Sequence, residues 1–258
     1  MLSLVVPAYN EADRLPPTLE RLRAHLDARG EDYEVILVDD GSMDATAASA
    51  ETVARSWSQL QVIRLPSNNG KGAAIRVGML EARGEHRAFS DADLSTPLEE
   101  LPRLRAHLDG DCQVAIASRA GDAQIEVHQD VRRELMGKTY NVLLRILVLP
   151  GIRDSQCGFK VFTATAAEAC FGPLQTPRFG FDAEVLVRAR RHGWRIAEVP
   201  VRWRHVEAPA DRAEWARTLE QAHPYFGGVL VPLDPRLLDI LRHPEDAIDR
   251  SDLQLAQG

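Results

Sequence analysis

The sequence is short of several features that would each assign it to a particular class of protein. It has three cysteines in 258 residues, far apart, with no CxxC pair and no histidine at zinc-ligand spacing. We therefore expect neither a disulfide framework nor a structural zinc site. Lysine and arginine number 31 against 38 aspartate and glutamate, a net charge of -7. A general nucleic-acid binder needs a basic face, so no nucleic-acid partner is expected.

Long hydrophobic runs are also missing. The most apolar stretch, residues 140–152, is interrupted by Arg145, Pro150 and Gly151, and it falls short of the roughly 20 residues that a spanning helix needs. The amino terminus lacks the basic region of a signal peptide and is typical of a buried first strand. These features predict a cytoplasmic protein without a transmembrane helix, whose contact with a membrane would be peripheral.

The composition suits a folded α/β domain. Apolar residues make up 45% of the chain and charged residues 27%, which allows a substantial core. Short apolar runs alternate with helical patterns, as in a parallel sheet flanked by helices. Strands are predicted at residues 2–6, 33–38, 61–65, 87–90, 114–118 and 196–201. Helices are predicted at residues 14–29, 44–57 with Asp44 as N-cap, 72–82, 97–108, 136–149 and 180–192.

Polar clusters follow the ends of four predicted strands, at residues 7–11, 39–42, 68–72 and 91–93. In an open parallel sheet, ligands bind beyond the carboxyl ends of the strands, so these clusters predict one binding rim. Turns and helix caps use the same residue types, which is the alternative explanation for any single cluster. In the last cluster, Asp91 and Asp93 place two carboxylates where Mg²⁺ or Mn²⁺ binds together with substrate phosphates.

The glycine-rich stretch around Lys71 does not match two familiar phosphate loops. A Walker A loop needs glycine where Leu65 stands and serine or threonine where Gly72 stands. A dinucleotide fingerprint needs a small residue where Ile75 stands, and it follows the first strand of its sheet. A glycine-rich helix start carrying Lys71 is nevertheless suited to approach a phosphate.

Nine motifs, in this order along the chain, resemble family 2 glycosyltransferases. The first four are VVPAYNE at 5–11, VDDGSMDAT at 38–46, NNGKGAAIRVGM at 68–79 and DADLSTP at 91–97. The other five resemble one branch of that family, the dolichyl-phosphate glucosyltransferases and polyprenyl-phosphate mannose synthases. They are SRAGD at 118–122, RRELMGKTYN at 132–141, DSQCGFKVF at 154–162, GFDAEVL at 180–186 and EVPVRW at 198–203. The resemblance implies the GT-A fold, a mixed, mostly parallel sheet flanked by helices. It divides the chain into a nucleotide-binding half (1–119), an acceptor half (120–205) and a C-terminal extension (206–258).

The resemblance also implies roles for individual residues. It implies a loop that holds the nucleotide, a carboxylate near the base and ribose, a lysine near the base or diphosphate, and a metal-binding segment. These donor-side residues are Pro7, Tyr9, Glu11, Asp39, Lys71, Asp91, Ala92 and Asp93, with Asp91 and Asp93 as the metal ligands. Further catalytic positions are Arg119 and Arg133, which would grip an acceptor phosphate, and Asp154 and Lys160, which with Gln156 lie in a motif near the active site. Ser95 stands where the mannose synthases carry a metal-binding glutamine.

The implied reaction is metal-dependent, inverting transfer of a sugar, glucose from UDP-glucose by resemblance, to a polyprenyl or dolichyl phosphate. A lipid phosphate monoester has a second pKa of about 6 and needs no strong base. A soluble hydroxyl acceptor is the alternative, and it would need a base such as Asp182 or Glu184. It stays open because residues 204–215 replace the Ser-Lys dipeptide that the lipid-phosphate branch carries after Trp203. A catalytically silent nucleotide-sugar-binding protein is the other alternative.

The apolar segment 136–149 has two interpretations. With Arg132, Arg133, Lys138 and Arg145 it would rest on anionic lipid headgroups, which suits a polyprenyl-phosphate acceptor at a membrane surface. Otherwise it is an ordinary core helix or the interface of a homodimer.

Overall fold

The computed structural model describes residues 1–127, 144–145, 148–178 and 180–204. Most of the predicted helix 136–149, the predicted acceptor residue Arg133 and the extension 206–258 lie outside these residues. No helix within the described ranges is both long enough and apolar enough to cross a membrane.

A seven-stranded mixed sheet forms the centre of the fold. The strands are β1 (Leu2–Ala8), β2 (Tyr33–Asp39), β3 (Leu60–Arg64), β4 (His86–Ser90), β5 (Val114–Ser118), β6 (Gln124–Val127), β7 (Phe159–Thr163), β8 (Ile196–Pro200) and β9 (Arg202–Arg204). The order in the large sheet is β3-β2-β1-β4-β7-β5-β8, while β6 and β9 form a separate parallel pair. Only β7 runs antiparallel to its neighbours β4 and β5 among the strands described here. The predicted mixed, mostly parallel sheet is confirmed.

Helices cover both faces of this sheet. They are α1 (Leu15–Asp27), α2 (Thr46–Ala54), α3 (Lys71–Glu81), α4 (Leu101–Leu108), α5 (Ala164–Phe171) and α6 (Phe181–Arg191). Successive side chains of β1 point to opposite faces, so Leu4 packs in one core cluster with α1 and α4, whereas Val5 packs in the other with α3, α5 and α6. The two apolar layers hold the carboxyl ends of the parallel strands at one rim.

The predicted elements of the first half are confirmed, with shifted bounds. Asp44 was the wrong N-cap, since α2 is preceded by Ala45 and has no side-chain cap. Asp44 instead accepts hydrogen bonds from Thr46 N (2.9 Å) and Ala12 N (3.2 Å), which ties the loop after β2 to the loop after β1. The helix predicted from residue 97 begins as a short 3₁₀ turn, Leu98–Glu100, because Pro97 is extended.

Within the described part of the second half, four elements were not predicted: β6, β7, β9 and α5. The most consequential is β7, whose sequence FKVFT carries a lysine within a buried strand. Lys160 is tolerated there because Asp182 of α6 pairs with it. That partner is 22 residues away in sequence, so local periodicity does not reveal it.

Candidate active site

The loops after β1 and β2 are tied together at the rim. Asn10 N donates to Ser42 Oγ at 2.9 Å, and Asn10 Oδ1 accepts from Met43 N at 3.0 Å. Glu11 N donates to Thr46 Oγ1 at 2.8 Å. Asn10 has a φ of 53°, the left-handed conformation that asparagine tolerates better than most residues. The cross-linked loops give a defined edge beside the strand ends.

Two consecutive aspartates at the end of β2 serve different purposes. Asp40 accepts from Asn69 N (2.8 Å) and Gly70 N (2.7 Å), which holds the glycine-rich loop before α3. Gly70 has a φ of 101°, which favours glycine at this loop position. Asp39 is fully buried, and its Oδ2 has no hydrogen-bond partner among the described residues, with Arg64 Nε 3.6 Å away. Such a buried acceptor suits a ligand that brings a donor group.

The predicted nucleotide loop lies next to these aspartates. Pro7 lies one residue before the end of β1 and pairs with Val38 of β2. Tyr9 keeps 40% of its surface exposed. Burial raises the pKa of Glu11. The charge of Arg14 opposes this rise, and the charge of Asp93 adds to it. The structure therefore brings this loop, β2 and the Asp91–Asp93 segment to one rim.

The predicted metal pair follows β4. Asp93 Oδ1 accepts from Ser95 N at 2.8 Å, and Ala92 O accepts from Thr18 Oγ1 at 2.8 Å, which anchors the segment to α1. Asp91 Oδ1 lies 2.5 Å from Lys71 Nζ. Burial, and then the charge of Asp91, raises the pKa of Asp93, because two nearby carboxylates resist ionising together.

This pair fits a divalent cation that the substrate helps to hold. Within the described ranges, no group of three or more His, Cys, Asp or Glu side chains is placed to hold a metal by itself. Mg²⁺ typically binds through one or two carboxylates plus substrate phosphates, and repulsion between Asp91 and Asp93 favours a cation. Gly158 makes room for this geometry, since a Cβ there would lie 2.1 Å from Asp91 Oδ2.

A second ion pair lies behind the metal pair. Lys160 is fully buried, donates to Cys157 O at 2.7 Å and pairs with Asp182. Burial raises the pKa of Asp182, with Lys160 and Lys71 opposing. Burial also works against the charge of Lys71, yet Asp91 and Asp182 raise the pKa of Lys71. From the rim towards the interior, the side chains of Asp91, Lys71, Asp182 and Lys160 therefore alternate between negative and positive charge.

Glu184, considered as a base for a hydroxyl acceptor, is committed to the fold. Its carboxylate accepts from Gln175 N at 3.1 Å and from Thr176 N at 2.8 Å. Arg188, one turn along α6, donates to the same carboxylate at 2.6 Å. Glu184 holds the loop before α6, and it is only 8% exposed.

Arg119, predicted to grip an acceptor phosphate, lies at the end of β5 and is held in place by Asp154. Its Nε and Nη2 donate to the two carboxylate oxygens of Asp154 at 2.7 and 2.9 Å, and its backbone N–H donates to Asp154 Oδ2 at 2.9 Å. The guanidinium lies over the ring of Trp203, 5.4 Å from its centroid. Burial opposes the charges of both groups, but their attraction raises the pKa of Arg119 and lowers that of Asp154.

A small cleft lies between Asp91 and Trp203, the side chain whose ring Arg119 covers. It is lined by Ser90, Asp91, Ser95, Thr96, Gly158 and Trp203. The predicted residues Asp91 and Arg119 are thus linked through Trp203, whereas Lys160 lies in the interior. Sequence reasoning missed the site roles of Asp40, Gly158 and Trp203, although each lies inside one of the quoted motifs.

Fold and site together define the class of protein. A mixed sheet with a carboxylate pair after β4 and loops clustered at the strand ends is the architecture of GT-A glycosyltransferases. The family described as "Glycosyl transferase family 2" matches residues 3–171, more than half of the chain. The protein belongs to glycosyl transferase family 2.

Similar sequences from several eukaryotes extend beyond the matched region. A human dolichyl-phosphate beta-glucosyltransferase is 37% identical over 220 residues, which cover 80% of this chain and 68% of that protein. A Drosophila melanogaster protein of the same name is 35% identical over 83% of this chain and 70% of its own length. The chain spans 64% of the length of a 35% identical Trichomonas vaginalis relative, also so named.

Solved structures share the fold. Glucosyl-3-phosphoglycerate synthase of Mycobacterium tuberculosis superposes with a TM-score of 0.67 at 19% identity, covering 90% of this chain and 82% of that chain. Another structure of that enzyme, in complex with Mn²⁺, UDP and phosphoglyceric acid, superposes with a TM-score of 0.63 at 20% identity, covering 86% and 78%. At this identity the likeness establishes the GT-A fold.

Proposed function

We propose that the protein is a metal-dependent inverting glycosyltransferase that moves glucose from UDP-glucose to a dolichyl or other polyprenyl phosphate. The observation that carries this proposal is Arg119, which Asp154 clamps and which lies over Trp203, a residue that lines the same small cleft as Asp91. A fixed guanidinium beside a carboxylate pair provides one site for a phosphate and another for a metal-bound diphosphate. The names of the human and Drosophila relatives support the same acceptor.

On the donor side, the nucleoside would lie against the loop 7–11 and the buried carboxylate of Asp39. Asp91 and Asp93 would hold Mg²⁺ or Mn²⁺, which neutralises charge on the leaving diphosphate when bound. Lys71 supplies a cation of the chain itself, 2.5 Å from Asp91 at the N-terminus of α3. A helix N-terminus and a lysine both favour an anion at this position.

On the acceptor side, a phosphate monoester oxygen attacks C1 of the sugar from the face opposite the diphosphate. The new C1–O bond forms as the old one breaks, and the electron pair leaves with the nucleoside diphosphate. A dianionic phosphate has no proton to lose, so the step needs orientation by Arg119 and no base. Asp182 is paired with Lys160 and Glu184 holds backbone amides, which favours this acceptor over a hydroxyl.

The proposal is tested by incubating the full chain with UDP-glucose, Mn²⁺ and a short polyprenyl phosphate in detergent. Mass spectrometry should detect a glucosyl phosphodiester, and NMR spectroscopy of the product should show inverted anomeric configuration. GDP-mannose replaces the donor in one control reaction, and 3-phosphoglycerate replaces the acceptor in another. Transfer to the soluble acceptor alone would overturn the lipid-phosphate assignment, and donor binding without any transfer would indicate a silent binder.

The metal assignment has a separate test in Asp93→Ala. We expect a loss of turnover of at least about a hundredfold, because removal of one charge-stabilising group typically costs this order in rate. Calorimetric titration with Mn²⁺ and UDP should show a matching loss of metal binding. Unchanged turnover by Asp93→Ala in Mg²⁺ or Mn²⁺ would mean that the pair does not bind the required metal.

A further inference from the structure

Glu198, on β8, is bonded to the segment that holds Arg119. Its Oε1 accepts from Ser118 Oγ at 2.7 Å and from Asp154 N at 2.8 Å. Arg153 N lies 3.1 Å from Oε1 and 3.0 Å from Oε2. The side chain is 12% exposed. A single carboxylate therefore organises the end of β5 and the loop at residues 153–154.

These bonds reach Arg119 from two directions. Ser118 precedes Arg119 in the chain, and its Oγ also accepts from Ala120 N at 3.1 Å. Asp154 clamps the guanidinium through both carboxylate oxygens and accepts the Arg119 backbone N–H. Glu198 thus fixes the backbone next to Arg119 through Ser118. It also fixes Asp154, whose carboxylate orients the Arg119 guanidinium.

We infer that Glu198 is a positioning residue for the acceptor phosphate, acting through Asp154 and Ser118 on Arg119. This inference rests on the proposed function, in which Arg119 binds that phosphate. A long arginine side chain is mobile unless its surroundings hold it, and a ligand benefits when that ordering is completed before it binds. Glu198 completes the ordering with no contact to the substrate.

Removal of Glu198 has a defined structural consequence. Glu198→Ala leaves the amides of Arg153 and Asp154 without their acceptor, so the loop relaxes and carries the Asp154 carboxylate with it. Glu198→Gln is milder, since its carbonyl oxygen can replace Oε1 while its NH₂ group opposes Arg153 N–H. The effect on Arg119 should therefore grow from glutamine to alanine.

Glu34 provides a matched control. It is a buried carboxylate of β2 that likewise accepts a serine hydroxyl, Ser3 Oγ at 2.6 Å, and a backbone amide, Arg83 N at 2.7 Å. It lies at the start of β2 in the same sheet, at the rim opposite the candidate site. Glu34→Gln reports the effect of a weakened buried glutamate without a change at Arg119.

The experiment is a steady-state kinetic comparison with UDP-glucose and a short polyprenyl phosphate. Glu198→Ala should raise the KM for the polyprenyl phosphate at least tenfold and leave the KM for UDP-glucose within twofold. Glu198→Gln should raise the acceptor KM less, in the same direction. Glu34→Gln should leave both values unchanged, even where it lowers the melting temperature. Equal effects of Glu198→Gln on both substrates would overturn the inference, including where Glu198→Ala does not fold.

Arg119→Ala separates failure of this inference from failure of the proposed function. If Arg119→Ala leaves the acceptor KM unchanged, the proposed phosphate site is wrong. If Arg119→Ala raises it and Glu198→Gln does not, only the positioning role fails. In the Arg119→Ala background, Glu198→Gln should add no further increase, because residues acting through one group are non-additive. If the increases in acceptor KM caused by the two substitutions multiply in the double variant, Glu198 does not act through Arg119.

Discussion

Lys71, the first residue of α3, forms an ion pair with Asp91, which follows β4, and their Nζ and Oδ1 atoms lie 2.5 Å apart. The lysine therefore faces the carboxylate pair at the rim. A cation at this point can balance Asp91 and also attract the diphosphate of a donor. If Asp91 and Asp93 hold a metal as proposed, the charge of Lys71 should affect how strongly they hold it.

Replacing Lys71 with methionine should strengthen metal binding while impairing turnover. Removal of a positive charge beside Asp91 leaves the carboxylates more attractive to Mn²⁺, and a tenfold gain corresponds to about 1.4 kcal/mol. The donor diphosphate loses a cation at the same time, so kcat/KM should fall at least tenfold. Calorimetric titration with Mn²⁺ without nucleotide measures the first effect and steady-state kinetics the second.

Lys71→Arg is the control for charge. It should keep Mn²⁺ affinity closer to that of the unaltered protein than Lys71→Met does. Weaker Mn²⁺ binding by Lys71→Met would contradict an electrostatic role of the lysine at the metal site.

Gly158→Ala should disable the carboxylate pair by a steric effect. Its Cβ would lie 2.1 Å from Asp91 Oδ2, so the carboxylate has to move. We expect at least a tenfold loss of kcat/KM with weaker Mn²⁺ binding, measured by kinetics and calorimetry. Gly110→Ala is the matched control, because its Cβ would meet only His107 O at 3.6 Å, an ordinary contact. If both variants behave alike, the close approach to Asp91 is unimportant.

Lys160→Met should act mainly on stability. Removing one partner of a buried ion pair leaves Asp182 buried without its direct partner, a change that typically costs about 3 to 5 kcal/mol. Urea unfolding of Lys160→Met, Asp182→Leu and the double variant measures this cost. The double variant should be less destabilised than the sum of the single variants. A stable Lys160→Met protein without turnover would instead support the predicted catalytic role of Lys160.

The pair formed by Arg119 and Asp154 should make stability depend on pH in the acidic range. Arg119 holds the pKa of Asp154 below its ordinary value despite burial, so the folded state releases this proton more readily than the unfolded state. The resulting stability is present above the unfolded pKa of about 3.9 and is lost as pH falls through the folded pKa.

The measurement compares the free energy of unfolding of the unaltered protein and Asp154→Asn across pH. Because other carboxylates are common to both proteins, the difference isolates Asp154. It should stay constant between about pH 7 and pH 5 and shrink below about pH 4. A difference of the same size at pH 3 and pH 7 would show that Asp154 is not stabilised as a carboxylate by Arg119.

The first half of the chain was predictable because its signals are local. Leu15, Leu19, Leu22 and Leu26 mark the buried stripe of α1, and continuous apolar runs mark the parallel strands. The rule that ligands bind beyond the carboxyl ends of such strands then located the rim. The antiparallel strand β7 was not predicted because the segment FKVFT becomes a strand through pairing with β4 and β5, which local sequence does not show.

The sequence by itself determined most strands and helices of residues 1–119, the rim of polar loops and the residues Asp91, Asp93 and Arg119 as candidates. Only the tertiary structure decided their partners. Lys71 meets Asp91, Lys160 meets Asp182, and Glu198 meets the loop that carries Asp154. These contacts join residues about 20 to 44 positions apart in the chain. Helical and strand periodicity reports only the burial of one element, whereas the pairing of charges depends on how packed elements place their ends together.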